Sequence, residues 1–365
     1  MNTNLTISRY PVSDNRSLKS YSAADDYILN YIKEHEIEQN EATVYNDRFG
    51  YLSLHLMDSN PTIISNYKSQ EDAIIRNAKD NNIEKSKLNF QNPLSDDIST
   101  TDLAIIKIPK SMDLFRLYLI QIHKKASKNT KVICGFMTKY FTKQMITIAG
   151  EYFEVQEQSL AWKKSRLLIL SEPKTDVDTN IINTIAHENV NGEKIEIKQY
   201  YGVFSAKHID YATQFLIQNI ELNSQVESVL DVASGNGILA YEVSQLKSDL
   251  ELHLLDDSYL ANESAKLNLQ DQEATYHYTD RLVDIESDYF DLVICNPPFH
   301  IEHENNIEMA LELFHGIQRV LHEDGRFLCV ANLHLNYKTH LIKIFEQVEV
   351  TAMNSKFVVY ECWKA

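Results

Sequence analysis

The segment with the strongest chemical signal is NPPF, made up of Asn296, Pro297, Pro298 and Phe299. It follows YFDLVIC, an apolar run that is typical of a buried strand. Two prolines fix two φ angles and remove two backbone donors, so the Asn296 side-chain oxygen and nearby carbonyls form a rigid set of acceptors. Such acceptors can hold an NH₂ group, make its nitrogen pyramidal and direct its lone pair at a methyl donor. Phe299 can stack on the base that carries the amine.

A second candidate site is the segment DVASGNG, residues 231–237, between an apolar strand pattern and a helical pattern. Gly235 and Gly237 allow a ligand to lie against the main chain. Asp256 ends the next strand pattern, 21 residues after Gly235, where a carboxylate can accept hydrogen bonds from both hydroxyls of a ribose. The pattern indicates a nucleotide-like cofactor. It is not the dinucleotide form G-x-G-x-x-G, because position 240 is Ala.

Hydrophobic patterning in the second half predicts strands that alternate with helices. The predicted strands are SVLDV, LELHLLD, ATYHY, YFDLVIC and RFLCVAN, and the predicted helices cover about 238–247, 259–269 and 306–321. This alternation is typical of a mostly parallel α/β sheet. The last segments, QVEVTAMN and KFVVYECW, have only a short connector, so we expect them to pair as an antiparallel hairpin. Both candidate sites then lie at the carboxyl ends of strands.

The first half of the chain repeats this plan in a weaker form. DLAIIKIPK (102–110) aligns with DLVICNPPF (291–299), and TVYNDRFGYLSL (43–54) aligns with LDVASGNGILAY (230–241). The offsets of 189 and 187 residues are nearly equal, which favours a duplicated domain. The chemical residues are not repeated. At the aligned positions Arg48 replaces Gly235, Lys107 replaces Asn296, Ile108 replaces Pro297 and Lys110 replaces Phe299.

Charge is unevenly divided between the halves. Residues 1–175 hold 23 Lys and Arg against 21 Asp and Glu, whereas residues 176–365 hold 12 against 31. The net charge of −17 therefore comes from the second half, which would repel a polyanion that the first half tolerates. In the segment WKKSR, Trp162 can stack on a base, and Lys163, Lys164 and Arg166 can reach phosphates. A solvated charged face is the alternative interpretation of this cluster.

Composition excludes several classes of protein. The chain is 44% hydrophobic and 24% charged, which is ordinary globular usage. It has no run of 18 uncharged apolar residues and no secretory signal pattern, so we expect a cytoplasmic protein without membrane contact. Its four cysteines are at least 33 residues apart, and His300 and His303 lack a carboxylate-rich set of metal ligands. We therefore expect free thiols and no metal site.

The DVASGNG loop, the acid on the second strand and NPPF together resemble a class I S-adenosylmethionine-dependent methyltransferase that acts on an amino group. Further segments resemble the duplicated-domain ribosomal RNA guanine-N2 methyltransferases over nearly the whole chain. These segments are SAADDYILNYI, NDRFGYLS, IKIPK, LAWKKSRL, YGVFSAKHIDYAT, CNPPFH, VANLHLNY and NSKFVV. NDRFG, IPK, AWKK and NSKFVV are more similar to the large-subunit (23S) branch than to the small-subunit (16S) branch.

The resemblance implies a role for each matching residue. Asp231, Ala233, Gly235 and Gly237 would line the methionine and ribose side of S-adenosylmethionine, Asp256 would hold the ribose, Asp280 would lie near the adenine, and Asn296 would border the same cofactor. Asn296 and Pro297 would also orient guanine N2, and Phe299 would stack on the flipped base. The family usually has glycine where Ala233 stands, and a positive φ there would cost about 1 kcal/mol.

We therefore predict two tandem class I methyltransferase (Rossmann-like) domains, each a mostly parallel seven-stranded sheet with an antiparallel last strand. The first domain (1–172) is degenerate, residues 173–195 form a linker, and residues 196–365 form the catalytic domain. The degenerate domain is expected to hold RNA through Arg48, Lys107, Lys110, Lys163, Lys164 and Arg166. The expected reaction is methylation of a guanine N2 in 23S ribosomal RNA. Alternatives are 16S ribosomal RNA, another amino group, or a non-catalytic RNA-binding assembly factor.

Overall fold

The computed structural model describes residues 5–12, 18–98, 101–297 and 307–364. The chain divides into two compact units, Met1–Ile181 and Ile182–Ala365. Each unit contains one seven-stranded sheet among its described residues, and a two-stranded hairpin precedes the second sheet. The predicted fold class, two tandem and mostly parallel α/β sheets, is confirmed.

The sheet of the first unit has one strand that runs against its neighbours. Its strands are β1 (Thr43–Tyr45), β2 (Thr62–Ile64), β3 (Asn89–Gln91), β4 (Thr101–Lys107), β5 (Ala126–Met137), β6 (Phe153–Gln158) and β7 (Ser165–Pro173). Their order is β3-β2-β1-β4-β5-β7-β6, and β7 is antiparallel to both β5 and β6. The helices are α1 (Ala23–Glu34), α2 (Tyr51–His55), α3 (Lys68–Asp80), α4 (Met112–Lys125) and α5 (Lys143–Tyr152).

The second unit has the same strand order after an added hairpin, β8 (Ile182–Glu188) and β9 (Lys194–Tyr200). Its sheet runs β12-β11-β10-β13-β14-β16-β15, with β16 antiparallel to β14 and β15. The strands are β10 (Ser228–Val232), β11 (Glu251–Asp256), β12 (Ala274–Tyr278), β13 (Phe290–Cys295), β14 (Leu321–Asn332), β15 (Gln347–Met353) and β16 (Phe357–Trp363). The helices are α6 (Tyr211–Ile217), α7 (Ile238–Leu246), α8 (Tyr259–Asn268), α9 (Ile307–Val320) and α10 (Lys338–Leu341).

Local sequence explains why these elements form. Helix α1 begins at a capping box, in which Asp25 accepts a hydrogen bond from the backbone N–H of Ser22 (2.6 Å). Its Ile28 and Ile32 repeat at helical spacing and pack on the core side of the sheet. In contrast, all five residues of β10 are buried, as expected for a parallel strand that is covered on both faces.

The hairpin of β8 and β9 corrects the predicted linker, because residues 182–195 are not an open connector. Glu242 of α7 is 1% exposed, and its carboxylate accepts a hydrogen bond from Val190 N–H (2.8 Å) and lies 2.6 Å from His187 Nε2. On the other strand, the backbone N–H of Tyr200 donates to Ser264 Oγ of α8 (2.9 Å). The hairpin is therefore an integral part of the second unit.

The two sheets follow the same backbone path at the end of their first strands. Asn46 and Ala233, which are 187 residues apart, have φ values of 59° and 58°. Gly50 and Gly237, at the same offset, have φ values of 83° and 77° and precede α2 and α7. Left-handed residues at two matching positions are strong evidence for the predicted duplication.

Within the described ranges, no helix is long and apolar enough to cross a membrane.

All four cysteines, Cys134, Cys295, Cys329 and Cys362, are buried and free. Burial raises the pKa of each thiol above its ordinary value, so these side chains act as small apolar groups of the core.

Candidate active site

The predicted site residues of the second unit meet at the carboxyl edge of its sheet. Asp231 lies in β10, Asp256 ends β11, and Asn296 directly follows β13. These three strands are neighbours, in the order β11-β10-β13, and are parallel. Asp280 follows β12 at the next position along the same edge. The crevice outside the carboxyl ends of parallel strands is the usual ligand site of such sheets.

The two glycines of the loop after β10 have different roles. Gly235 has a φ of +56°, and a Cβ added there would meet nothing within 4 Å, so its backbone faces open space. Gly237 has a φ of +77°, and an added Cβ would lie 2.9 Å from Ala265 Cβ of α8. Gly235 thus leaves room for a ligand, whereas Gly237 allows α8 to pack closely.

Asp256 fixes the shape of this loop. Its Oδ2 accepts a hydrogen bond from the backbone N–H of Gly235 (2.9 Å), and its Oδ1 accepts one from Ser258 N–H (2.7 Å). Burial raises the pKa of Asp256 to about 6, against the lowering effect of these two hydrogen bonds. A carboxylate in this position can exchange a backbone donor for a ribose hydroxyl when a nucleoside binds.

Asp231 is a fully buried acid with an unused acceptor. It is 0% exposed, and its Oδ2 accepts a hydrogen bond from Ala240 N–H (3.2 Å). Its Oδ1 has no hydrogen-bond partner among the residues that the structure describes. Burial, and then the negative charge of Asp256, raise the pKa of Asp231 to about 7. An orphaned carboxylate oxygen beside an open glycine loop fits a ligand that carries positive charge or N–H donors.

The Asn296 side chain uses its amide nitrogen in hydrogen bonds and leaves its carbonyl oxygen available as an acceptor. Its Nδ2 donates to Thr213 Oγ1 (2.9 Å) and to Asp210 Oδ2 (3.2 Å). Its Oδ1 is buried and accepts no hydrogen bond from the described part of the chain. Pro297 follows and is buried. Phe299, Pro298, His300 and His303 lie outside the described residues, so the predicted stacking by Phe299 stays a prediction.

Asp210 decides which end of the Asn296 amide faces α6. As the N-cap of α6, its carboxylate accepts hydrogen bonds from Ala212 N–H (2.9 Å) and Thr213 N–H (3.3 Å). Because the Asp210 carboxylate accepts from donors on α6 and from Asn296 Nδ2, the amide nitrogen faces it and the carbonyl oxygen faces away. We did not predict Asp210 or Thr213 as site residues. The signal was the N-cap pattern D-Y-A-T, which by itself indicates only a helix start.

Gln199 is a third site residue that we did not predict. It is 0% exposed, its Oε1 accepts from Asn236 Nδ2 (2.7 Å), and its Nε2 donates to the carbonyls of Val203 (3.1 Å) and Phe204 (3.2 Å). It therefore ties the turn after β9 to the loop after β10. No spacing rule in the sequence identifies a glutamine of this kind.

The corresponding edge of the first unit is closed by its own side chains. Lys107 Nζ lies 3.0 Å from Oδ2 of Asp25, which is 1% exposed, and the Arg48 guanidinium lies over the Tyr67 ring (5.6 Å to its centroid). The sheet register places Ser65 where the second unit has Asp256. The acid and the asparagine that characterise the second site are thus both replaced here.

The backbone of Ala233 is strained. Its φ of +58° lies in the left-handed region, which costs a residue with a Cβ about 1 kcal/mol. Ala233→Gly removes this cost, and the greater freedom of glycine in the unfolded chain offsets part of it. We expect a net gain below about 1 kcal/mol and a melting temperature higher by about 1–3 °C, measured by thermal unfolding.

The control is the same change in an ordinary helix. Ala261→Gly in α8 is expected to lower stability by about 1 kcal/mol. Equal losses for the two variants would show that Ala233 carries no strain.

The sheet order, the glycine turn after β10 and the acid that ends β11 define the class of protein: this is a class I methyltransferase that uses S-adenosylmethionine. Residues 1–175 match the family model described as the RLMG N-terminal domain, and residues 194–361 match the methyltransferase small domain. The chain belongs to the family that joins these two domains.

Curated relatives match the chain over almost its full length. The ribosomal RNA large subunit methyltransferase G of Vibrio parahaemolyticus is 29% identical, covering 99% of this chain and 95% of the relative. The protein of that name from Colwellia psychrerythraea is 29% identical, covering 99% and 97%. Among solved structures, the T. Thermophilus 16S rRNA N2 G1207 methyltransferase, in complex with AdoMet and guanosine, has a TM-score of 0.78 at 16% identity, with 99% and 98% coverage. It shares the fold.

Proposed function

We propose that this enzyme transfers a methyl group from S-adenosylmethionine to the exocyclic N2 of a guanine in large-subunit (23S) ribosomal RNA. One observation carries the proposal: the buried Asn296 Oδ1 is free to accept within the described structure, while Asp210 and Thr213 hold its Nδ2. The fixed carbonyl favours an N–H donor as the substrate group. The names of the curated relatives support the large-subunit RNA.

The proposed reaction requires the protein mainly to position the amine of the guanine. An amine on a purine is a poor nucleophile, because its lone pair is delocalised into the ring. Asn296 Oδ1 accepts one of its protons in a fixed direction, which makes the nitrogen pyramidal and exposes the lone pair. S-adenosylmethionine supplies a methyl group on a sulfonium. The alkylated nitrogen is acidic and loses its proton to water or a weak acceptor, so no strong general base is needed.

The cofactor residues are proposed on the same geometry. Gly235 leaves open space for the cofactor at the main chain. Asp256 would exchange its hydrogen bond from the Gly235 N–H for one from a ribose hydroxyl. Asp231 would offer its unused carboxylate oxygen to the positively charged end of S-adenosylmethionine. Asp280 stands at the following strand, where we propose a contact with the adenine. Ala233 shapes the turn through its left-handed backbone, and Gly237 acts through packing on α8.

The direct test is mass spectrometry of nucleosides from the 23S and 16S ribosomal RNA of cells with and without the gene. In cells without the gene, we expect the amount of N2-methylguanosine to fall in 23S RNA alone and to return when the wild-type gene is restored. A loss confined to 16S RNA would move the substrate to the small subunit. A missing N6-methyladenosine, or no change at all, would contradict the proposal. A non-catalytic assembly factor would keep its full cellular role as Asn296→Ala.

We further propose that the first unit holds the RNA. Five of its basic residues line one edge of the sheet. Arg48 follows β1, Lys107 ends β4 and Lys110 comes shortly after it, while Lys163 and Lys164 precede the antiparallel β7. Arg166 lies in β7 itself and is half-buried. Because Lys107 is paired with Asp25, we propose that it closes the former cofactor site. We propose that the exposed lysines contact the RNA phosphates.

The turn at Trp162–Ser165 is the best candidate for this contact. Trp162 and Ser165 exchange two backbone hydrogen bonds (2.9 and 2.8 Å), and the two lysines between them have φ values of 45° and 62°. Such turns normally contain asparagine and glycine, so two lysines are costly there and indicate a functional demand. Lys163 Nζ lies 4.4 Å from the centroid of the Trp162 ring.

The paired change Lys163→Gln and Lys164→Gln is therefore expected to weaken RNA binding about tenfold. The slope of log K against log salt should fall by about 0.7 for each lost phosphate contact. The measurement is fluorescence anisotropy with 23S RNA fragments at several salt concentrations.

The matched control is Lys85→Gln with Lys87→Gln. These two exposed lysines precede β3, at the opposite edge of the same sheet. Equal losses for the two double variants would refute the assignment of the RNA surface.

A further inference from the structure

A groove of about 360 Å³ lies beside α6 in the second unit. Helix α6 forms one wall through Tyr211 and Phe215. The other wall consists of Asn354 and Lys356, in the turn between β15 and β16, and Phe357, the first residue of β16. Tyr211 and the NSKF residues Asn354, Lys356 and Phe357 have no role in the chemistry described above.

The side chains of the groove suit a nucleotide. Tyr211 is 58% exposed, although it is a large aromatic residue. Lys356 Nζ lies 5.9 Å from the Tyr211 ring centroid and 4.9 Å from that of Phe357, and Lys356 forms no ion pair with the described residues. A base can stack on the tyrosine while the ammonium reaches its phosphate. This cation stands out in a half of the chain with 12 basic and 31 acidic residues.

The lysine is held in place by its backbone. Asn354 Oδ1 accepts hydrogen bonds from the N–H groups of Lys356 and Phe357, each at 2.8 Å. The carbonyl of Lys356 accepts from Leu333 N–H (3.0 Å), in the segment that follows β14. A turn fixed from two sides fixes the direction in which the Lys356 side chain leaves the backbone, so less backbone freedom is lost when a ligand binds.

The groove lies on the same edge of the sheet as the proposed reaction site. Phe357 pairs with Asn332 at the carboxyl end of β14, and β14 adjoins β13, which ends beside Asn296. β16 and β13 are therefore two strand spacings apart, each of about 5 Å. Tyr211 also directly follows Asp210, which holds the Asn296 amide. A ligand in the groove and a guanine at Asn296 would thus be neighbours.

We propose that this groove binds the nucleotide next to the target guanine in the RNA, with its base on Tyr211 and its phosphate at Lys356. This inference rests on the proposed function. It makes the groove a determinant of which guanine is selected, because an RNA without a well-stacking neighbour loses this contact.

The test compares Tyr211→Ala, Tyr211→Phe and Lys356→Gln in the full-length enzyme. The substrate is deproteinised 23S RNA from cells that lack the gene, and guanosine is a competing inhibitor. We expect Tyr211→Ala to raise the KM for RNA about tenfold and Lys356→Gln about threefold, with unchanged affinity for S-adenosylmethionine and an unchanged inhibition constant for guanosine. Tyr211→Phe, which keeps the ring, should behave as wild type. Lys343→Gln, at another exposed lysine, is the charge control.

Two results would overturn the assignment of the groove and leave the proposed function intact. One is that Tyr211→Ala makes normal amounts of N2-methylguanosine with a KM for RNA within twofold of wild type. The other is that Tyr211→Ala weakens the binding of RNA and of guanosine equally, which would mean damage to the target pocket. If the wild-type enzyme makes no N2-methylguanosine, the proposed function fails first and the groove's assignment fails with it.

Discussion

Asn296→Ala is expected to reduce kcat about 10²- to 10³-fold and to leave binding of S-adenosylmethionine and RNA within about threefold. The physical reason is that Asn296 Oδ1 is the fixed acceptor that prepares the amine, and a preorganised polar group at a reacting centre contributes about 3–4 kcal/mol to the transition state. Single-turnover methylation of 23S RNA, followed with labelled S-adenosylmethionine, separates this step from binding.

Asp210→Ala is expected to have a smaller effect than Asn296→Ala. That change keeps the Asn296 carbonyl but removes the carboxylate that turns the amide, so the oxygen can rotate away from the substrate. We expect a loss of about tenfold in kcat with little change in KM. If Asn296→Ala instead raised KM and left kcat near wild type, the residue would be a binding contact and the proposed chemistry would be wrong.

Periodic patterns in the sequence predicted much of the fold. The helix predicted at about 238–247 is Ile238–Leu246, and the one predicted at about 259–269 is Tyr259–Asn268. The final antiparallel hairpin is also confirmed. These elements are local, and their apolar period of two or 3.6 residues follows from burial on a sheet. The φ of 58° at Ala233 agrees with the expectation, drawn from the family resemblance, that this loop position usually holds glycine.

Contacts between distant segments could not be read in the same way. Asn296 meets Asp210 across 86 residues, and Lys107 meets Asp25 across 82. Each of these polar side chains has an ordinary local interpretation, as a helix cap or an exposed charge, and only the folded sheet edge brings the partners together. The hairpin at 182–200 was missed for a related reason, since its buried polar anchor, Glu242, comes from another element.

Asp231→Asn is expected to weaken S-adenosylmethionine binding about 10- to 100-fold, because a hydrogen bond to a charged group contributes about 1.5–3 kcal/mol. Isothermal titration calorimetry measures this loss and also detects protons. The pKa of Asp231 is raised to about 7 in the free enzyme, so binding of a cationic ligand near pH 6.5 should release a proton from this carboxyl group. The release should disappear in Asp231→Asn, whereas Asp249→Asn, an exposed acid, should keep both affinity and proton release.

The same substitution should stabilise the ligand-free enzyme in a pH-dependent way. The folded pKa of Asp231 lies above that of an unfolded aspartate, so between about pH 4 and 7 the folded state binds the extra proton and its stability falls as the pH rises. Asparagine has no such proton. The melting temperature of Asp231→Asn should therefore exceed that of wild type by an amount that grows from pH 4 to 7 and is constant above it. A difference independent of pH would show that Asp231 is ionised in the free enzyme, and that its burial is already compensated by groups other than the cofactor.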